Sequence, residues 1–273
     1  MPEPVRGINQ YNETTDEKTW MELPKHIGLI PERLLATKRM SNNGCMEKIY
    51  EVCADIHNKA EYAGEKTFVW GAGNAHTARI LFIGEAPGWQ EDRYAMPFIG
   101  ESGQFISTVC KMAGLCRVDE AFFINTTTVR PDYLSGTKKI GAPSTLELAQ
   151  QRPRVVAVAS LLNQRERPLD AVVCLGKYAY AQLFCQKRLL AAVKAGTEVN
   201  MRDIILSRVK GWHPDTVMDV DAPILVMNHP SYVLRKIKNS HLRPSKLPEV
   251  IEYVEMFKLL KEKINGKRQV QAQ

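Results

Sequence analysis

Residues 78–100, ARILFIGEAPGWQEDRYAMPFIG, decide how this chain is built. The first six, ARILFI, are a short apolar run closed by glycine, which reads as a strand buried on both faces. Beyond them the character changes at once: a carboxylate between glycines, a proline, further acids and aromatics, all crowded at the strand's carboxyl end. Open α/β sheets place their chemistry at that end.

Working outward, three more runs have the same form: AFFINTTTV (121–129), DAVVCLG (170–176) and PILVMNHP (223–230). The spacing leaves room for crossover helices, expected over 101–114, 144–162, 177 to about 193, and 247–264. In the last, Val250, Val254, Phe257, Leu260 and Ile264 recur on one helical face. Strand alternating with helix predicts a three-layer α/β/α fold around a central, mostly parallel four-stranded sheet. Residues 1–44 are polar and punctuated by proline and read as a partly ordered extension, 45–265 as the functional domain, and 266–273 as a flexible tail. Residues 185–221 are basic and the least regular part of the core.

With 273 residues, 37 Lys and Arg against 30 Asp and Glu, and a formal charge of +7, the chain suits a phosphate-bearing partner without requiring one. None of the six cysteines forms a C-x-x-C pair, and no apolar leader precedes them, so a reduced, cytoplasmic protein is expected. No apolar run approaches the ~18 residues of a membrane span. A monomer without membrane association is the expectation.

Three of the four strands end in polar groups that a parallel sheet brings to one edge: Glu85, Asn125 and His229. Taken singly each has a structural reading. Glu85 would cap the next helix, Asn125 would satisfy a strand end, and a histidine before proline would hold a turn. GAGN at 71–74 reads as a glycine-rich turn.

Taken together, the motifs resemble the uracil-DNA glycosylase superfamily, and most closely its family 4 branch. GEAPGWQEDRYAMPFIGESGQFI is similar to the first signature of that branch, FINTTTVRP to its second, VVCLGKYA to its third strand, and HPSYVLR (229–235) to its last motif. The resemblance implies a monofunctional DNA glycosylase that flips uracil out of DNA and hydrolyses its N-glycosidic bond, leaving an abasic site. It places Asn125 at the N3–H and O4 of the base and Phe98 on its face, with Ala86, Pro87 and Gly88 as the pocket floor. His229 becomes the donor to O2, and Glu85 and Glu91 become the acids that position water or the base. Ser231 and Arg235 would hold a phosphate, while Val233 or Leu234 would wedge into the gap left by the flipped nucleotide.

The sequence departs from the family in three places. Family 4 members hold a four-iron cluster on four cysteines. Here Cys53 has Ile56 where its partner would fall, Val129 stands at the third position, and the region 151–153 lacks the fourth, so no cluster and no metal are expected. Ala86 stands where the best-studied branch has a water-activating aspartate. Gly88 stands where that branch has a thymine-excluding tyrosine, which leaves room near C5 unless Glu91 or Trp89 fills it. This opens two alternatives: a glycosylase for a C5-modified pyrimidine, hydroxymethylated or glucosylated, whose enlarged pocket 185–221 would line, as in defence against phage; and a non-catalytic DNA-binding accessory protein.

Overall fold

The computed structural model describes residues 44–59, 66–132, 141–196, 210–215, 217–218 and 220–271, so the extension expected at the amino end lies outside the described residues except for its last member. In chain order the elements are α1 (Gly44–Asn58), β1 (Ala72–Gly73), β2 (Ile80–Gly84), α2 (Trp89–Tyr94), α3 (Glu101–Met112), α4 (Arg117–Glu120) and β3 (Ala121–Asn125). Next come α5 (Thr145–Asn163), β4 (Ala171–Leu175), α6 (Lys177–Phe184), α7 (Gln186–Lys194), β5 (Gly211–His213), β6 (Ile224–Met227), α8 (Pro230–Asn239) and α9 (Pro248–Gln271), with a 3₁₀ turn at Pro244–Lys246.

The sheet has the order β1-β3-β2-β4-β6-β5. Its four central strands are the four apolar runs, and they pair in parallel. The sheet is wider than the four strands expected, because β1 and β5 add antiparallel edges. Both edges are too short, at two and three residues, to leave a periodic signal. β1 lies inside GAGN, the segment read as a turn.

Every residue of the central strands is buried, as helices on both faces require. On one face Phe82 stacks on Phe123 with centroids 4.8 Å apart, and Phe257 of α9 closes on Phe82 at 5.5 Å. On the other, Leu81, Ile83 and Val172 pack with Val155, Val158 and Leu162 of α5. The stripe of α9 runs through Val250, Tyr253, Phe257, Leu260 and Ile264, with Tyr253 taking the buried place expected for Val254. α5 starts where expected: Ser144 Oγ accepts from Glu147 N at 3.1 Å while Ser144 N donates to Glu147 Oε2 at 2.9 Å. The single helix expected from residue 177 is broken at Cys185 (φ −109°, ψ 22°), which re-aims α7 so that Leu189 packs on Leu148.

Parallel pairing sets the site. Gly84 lies beside Asn125 and Leu175 beside Met227, so Glu85, Asn125 and His229 emerge at one edge. Among the described residues no helix is long and apolar enough to cross a membrane.

Candidate active site

A cavity of about 330 Å³ opens at this edge, lined by Ala86, Gly88, Glu91, Phe98, Asn125 and His229 together with Trp89, Gln90, Gly100, Glu101 and Ser102. Of the expected floor, Ala86 and Gly88 line it, while Pro87 is buried and is not among the lining residues. Glu85 is also outside the lining.

Gly84 makes the arrangement feasible. A Cβ there would stand 2.4 Å from Asn125 Oδ1 and 2.4 Å from Phe98 Cζ, closer than atoms approach, so the amide and the ring meet only because this residue has no side chain. Asn125 is 4% exposed. Its main-chain oxygen accepts from Arg154 Nη2, which leaves the side-chain amide to the cavity. Phe98 has φ 58°, an uncommon conformation for an aromatic residue. Its carbonyl accepts from the buried Arg117, and its ring lies 5.2 Å from Phe123.

His229 is the N-cap of α8. Its Nδ1 accepts from Ser231 N at 3.3 Å and sits 2.9 Å from Ser231 Oγ, so in the neutral ring the proton belongs on Nε2. Burial, then the charge of Arg235, pushes its pKa down to about 4. The imidazole is therefore a neutral donor at physiological pH. A Cβ on Gly176 (φ 93°) would stand 2.9 Å from His229 Cβ, so a second glycine clears space for a site residue.

The two acids differ. Glu91 Oε1 accepts from Ile99 N at 3.1 Å and Gly100 N at 2.8 Å, and Oε2 accepts from Gly88 N at 3.1 Å. Its carboxylate thus ties the start of α2 to the loop that presents Phe98. A Cβ on Gly88 would lie 2.7 Å from Glu91 Oε2, so the room left by that glycine is taken by Glu91. Glu85 is half-buried, and burial raises its pKa to about 7 against the opposing pull of Lys177 and Arg235.

Ser231 and Arg235 lie together near the surface on α8, Arg235 Nη1 standing 3.4 Å from Ser231 Oγ. The wedge expected at Val233 or Leu234 is corrected by the structure. Both are buried in the core, at 0% and 3% exposure, because they form the inner face of α8. Tyr232 is the exposed apolar side chain of that turn.

Family 4 clusters need four thiolates, and the residues here do not fit one. Cys53 is fully buried, Val129 is apolar, and Gln151 Oε1 accepts from Arg154 Nε at 2.8 Å. Burial raises the Cys53 thiol and the Arg154 cation pulls the other way, so a guanidinium stands beside the one cysteine of the set. Among the described residues no group of three or more His, Cys, Asp or Glu is placed to hold a metal ion.

Comparison with known proteins identifies the family. A family model described as the uracil DNA glycosylase superfamily matches residues 70–255. The chain belongs to the uracil DNA glycosylase superfamily. It is 29% identical over 202 residues to the Type-4 uracil-DNA glycosylase of Archaeoglobus fulgidus, covering 69% of this chain and 84% of the relative. It is 26% identical over 171 residues to that of Thermotoga maritima, covering 63% and 73%. For that of Pyrobaculum aerophilum the figures are 24% over 192 residues, 70% and 85%. The superfamily placement and the family 4 likeness read from the motifs are thus the ones these relatives share.

Sequence reasoning missed the supports of this glycosylase fold. Arg154 is fully buried, and Gln182 donates from Nε2 to Thr126 O at 2.9 Å and to Leu148 O at 3.0 Å. Their one sequence signal is weak: polar residues in helices whose neighbours are apolar.

Proposed function

We propose that the protein is a monofunctional uracil-DNA glycosylase that extrudes uracil from DNA, hydrolyses its N-glycosidic bond and leaves an abasic site. The observation behind this reading is the meeting of the Asn125 amide and the Phe98 ring across Gly84, in one cavity with a neutral His229.

Each group has a task set by its chemistry. The Asn125 amide accepts from N3–H and donates to O4, a pattern that cytosine, with no N3–H and an amino group at C4, does not match. Phe98 covers the face of the extruded base. Bond cleavage leaves an oxocarbenium-like sugar and an anionic base, whose charge gathers on O2. His229 Nε2–H donates there, and a donor aimed at developing charge is worth about 10²–10³ in rate. Glu85, ionised above about 7, supplies the negative charge that favours the sugar cation and holds water against it.

Glu91 keeps the floor in place through its three backbone partners and closes the C5 side of the pocket, which favours uracil over a C5-substituted base. Ser231 and Arg235 hold a phosphate. The glycosylase domain is 45–265, works as a monomer on DNA, and uses no iron–sulfur cluster.

The test is incubation of the protein with oligonucleotides carrying uracil, mismatched thymine, hydroxymethylated or glucosylated pyrimidines, and then with alkali to reveal abasic sites. Cleavage at uracil supports the reading. Cleavage confined to the bulky bases transfers it to a modified pyrimidine, and no cleavage at any base points to a DNA-binding accessory role.

A further inference from the structure

Three cation–aromatic pairs have no part in the chemistry above, and all stand at the edge that bears the cavity. Trp89 begins α2, Lys177 and Tyr178 begin α6, and Tyr232 lies in the first turn of α8. The Arg93 guanidinium is 5.5 Å from the Trp89 ring centroid, Lys177 Nζ 5.1 Å from that of Tyr178, and Lys236 Nζ 5.6 Å from that of Tyr232. Trp89 is 54% exposed and Tyr232 37%. The strands that deliver them, β2 and β6, are separated by β4, a span of about 10 Å. A second cavity, of about 560 Å³, runs along α8 to its carboxyl end and meets the start of α9, lined by Tyr232, Arg235, Lys236, Asn239 and Glu249 among others.

We propose that Trp89 and Tyr232 stack the nucleotides on either side of the extruded one, that the cavity along α8 receives one of them, and that the protein therefore binds single-stranded DNA more tightly than duplex. The proposal rests on the DNA glycosylase reading. Large rings facing water recover apolar burial by covering a free base face, which an unpaired strand offers and a duplex keeps in its own stack. Arg93, Lys177, Arg235 and Lys236 supply the charge that complements the phosphates of such a strand.

The experiment is fluorescence anisotropy of the full chain with a short oligothymidylate, alone and paired with oligoadenylate, at fixed salt. The single strand is expected to bind more tightly. Trp89→Ala and Tyr232→Ala should each weaken single-strand binding about five- to a hundredfold, with a clearly smaller loss on the duplex. Trp89→Phe and Tyr232→Phe should restore most of it, since they keep a ring. Equal losses on both forms, no loss, or Phe variants as weak as Ala variants would overturn the proposal. Neither probe contains uracil, so binding as described without base release from a uracil-bearing strand would indict the glycosylase reading instead. Base release with unaltered binding by both Ala variants would indict this inference alone.

Discussion

Arg154 Nη2 donates to the main-chain oxygen of Asn125 across 2.5 Å, from a side chain with no exposure to solvent. Asn125, the residue proposed to read the base, is thus anchored from behind by a cation, in the region where family 4 resemblance would put an iron–sulfur cluster. Gln151 holds the same guanidinium from within α5, so the anchor is fixed to the helix as well as to the strand.

Arg154→Met therefore removes the bonds that Arg154 gives to Asn125 O and Gln151 Oε1, in a site closed to water. Unfolding free energy should fall by about 2–4 kcal/mol in urea titrations. At temperatures where the variant is still folded, kcat should fall more than about tenfold, because small displacements of a base-positioning group are costly. Wild-type kcat in the variant would show that Asn125 does not need this anchor.

Gly84→Ala tests the meeting of amide and ring. The added Cβ must displace Asn125 Oδ1 or Phe98 Cζ, each 2.4 Å away. Base release should fall about a hundredfold in kcat/KM, the cost of a displacement near one ångström. Far-ultraviolet circular dichroism should stay near wild type, since Gly84 has no left-handed backbone to lose.

The two perturbed groups make opposite pH statements. Activity should rise with pH to a midpoint near 7 as Glu85 ionises, with no limb from His229 above about 4. Stability moves the other way for Glu85. Its folded pKa lies above the unfolded one, so its contribution is complete at low pH and is lost as pH rises through about 7. His229, depressed in the fold, contributes stability that is present above its ordinary range and lost as pH falls toward about 4. Glu85→Gln should abolish the activity limb and the loss of stability near 7 together, measured by rate profiles and thermal melts. The Lys177 and Arg235 charges that face Glu85 hold this midpoint down, so Lys177→Met should raise it.

Anaerobically purified protein should be colourless and contain no stoichiometric iron by atomic absorption. A chelator should leave its melting temperature unchanged. A brown protein with about four irons per chain would contradict the poor fit of Cys53, Val129 and Gln151 to a cluster.

Much of the architecture was legible because buried parallel strands are written as apolar runs, and the residues that end them, Asn125 and His229, stand out against that background. The edge strands were not, being too short to show a period. Val233 and Leu234 were misplaced because two adjacent apolar residues after a proline do not reveal which face of a short helix is inward. Arg154 left only a weak signal for the opposite reason: a charged residue in a helix reads as facing water. Glu91 was recognisable as an acid near the site, but only the fold shows that backbone amides engage both its oxygens.

The central claim is that Asn125 and His229 divide recognition and charge stabilisation on a uracil held by Phe98. Its most direct test is the release of free uracil from a uracil-containing oligonucleotide, monitored by mass spectrometry for the wild type, Asn125→Ala and His229→Ala. The wild type should release the base, His229→Ala should lose about 10²–10³ in rate, and Asn125→Ala at least as much, with salt-dependent DNA binding nearly intact in both. Release at wild-type rate by either variant would contradict the account.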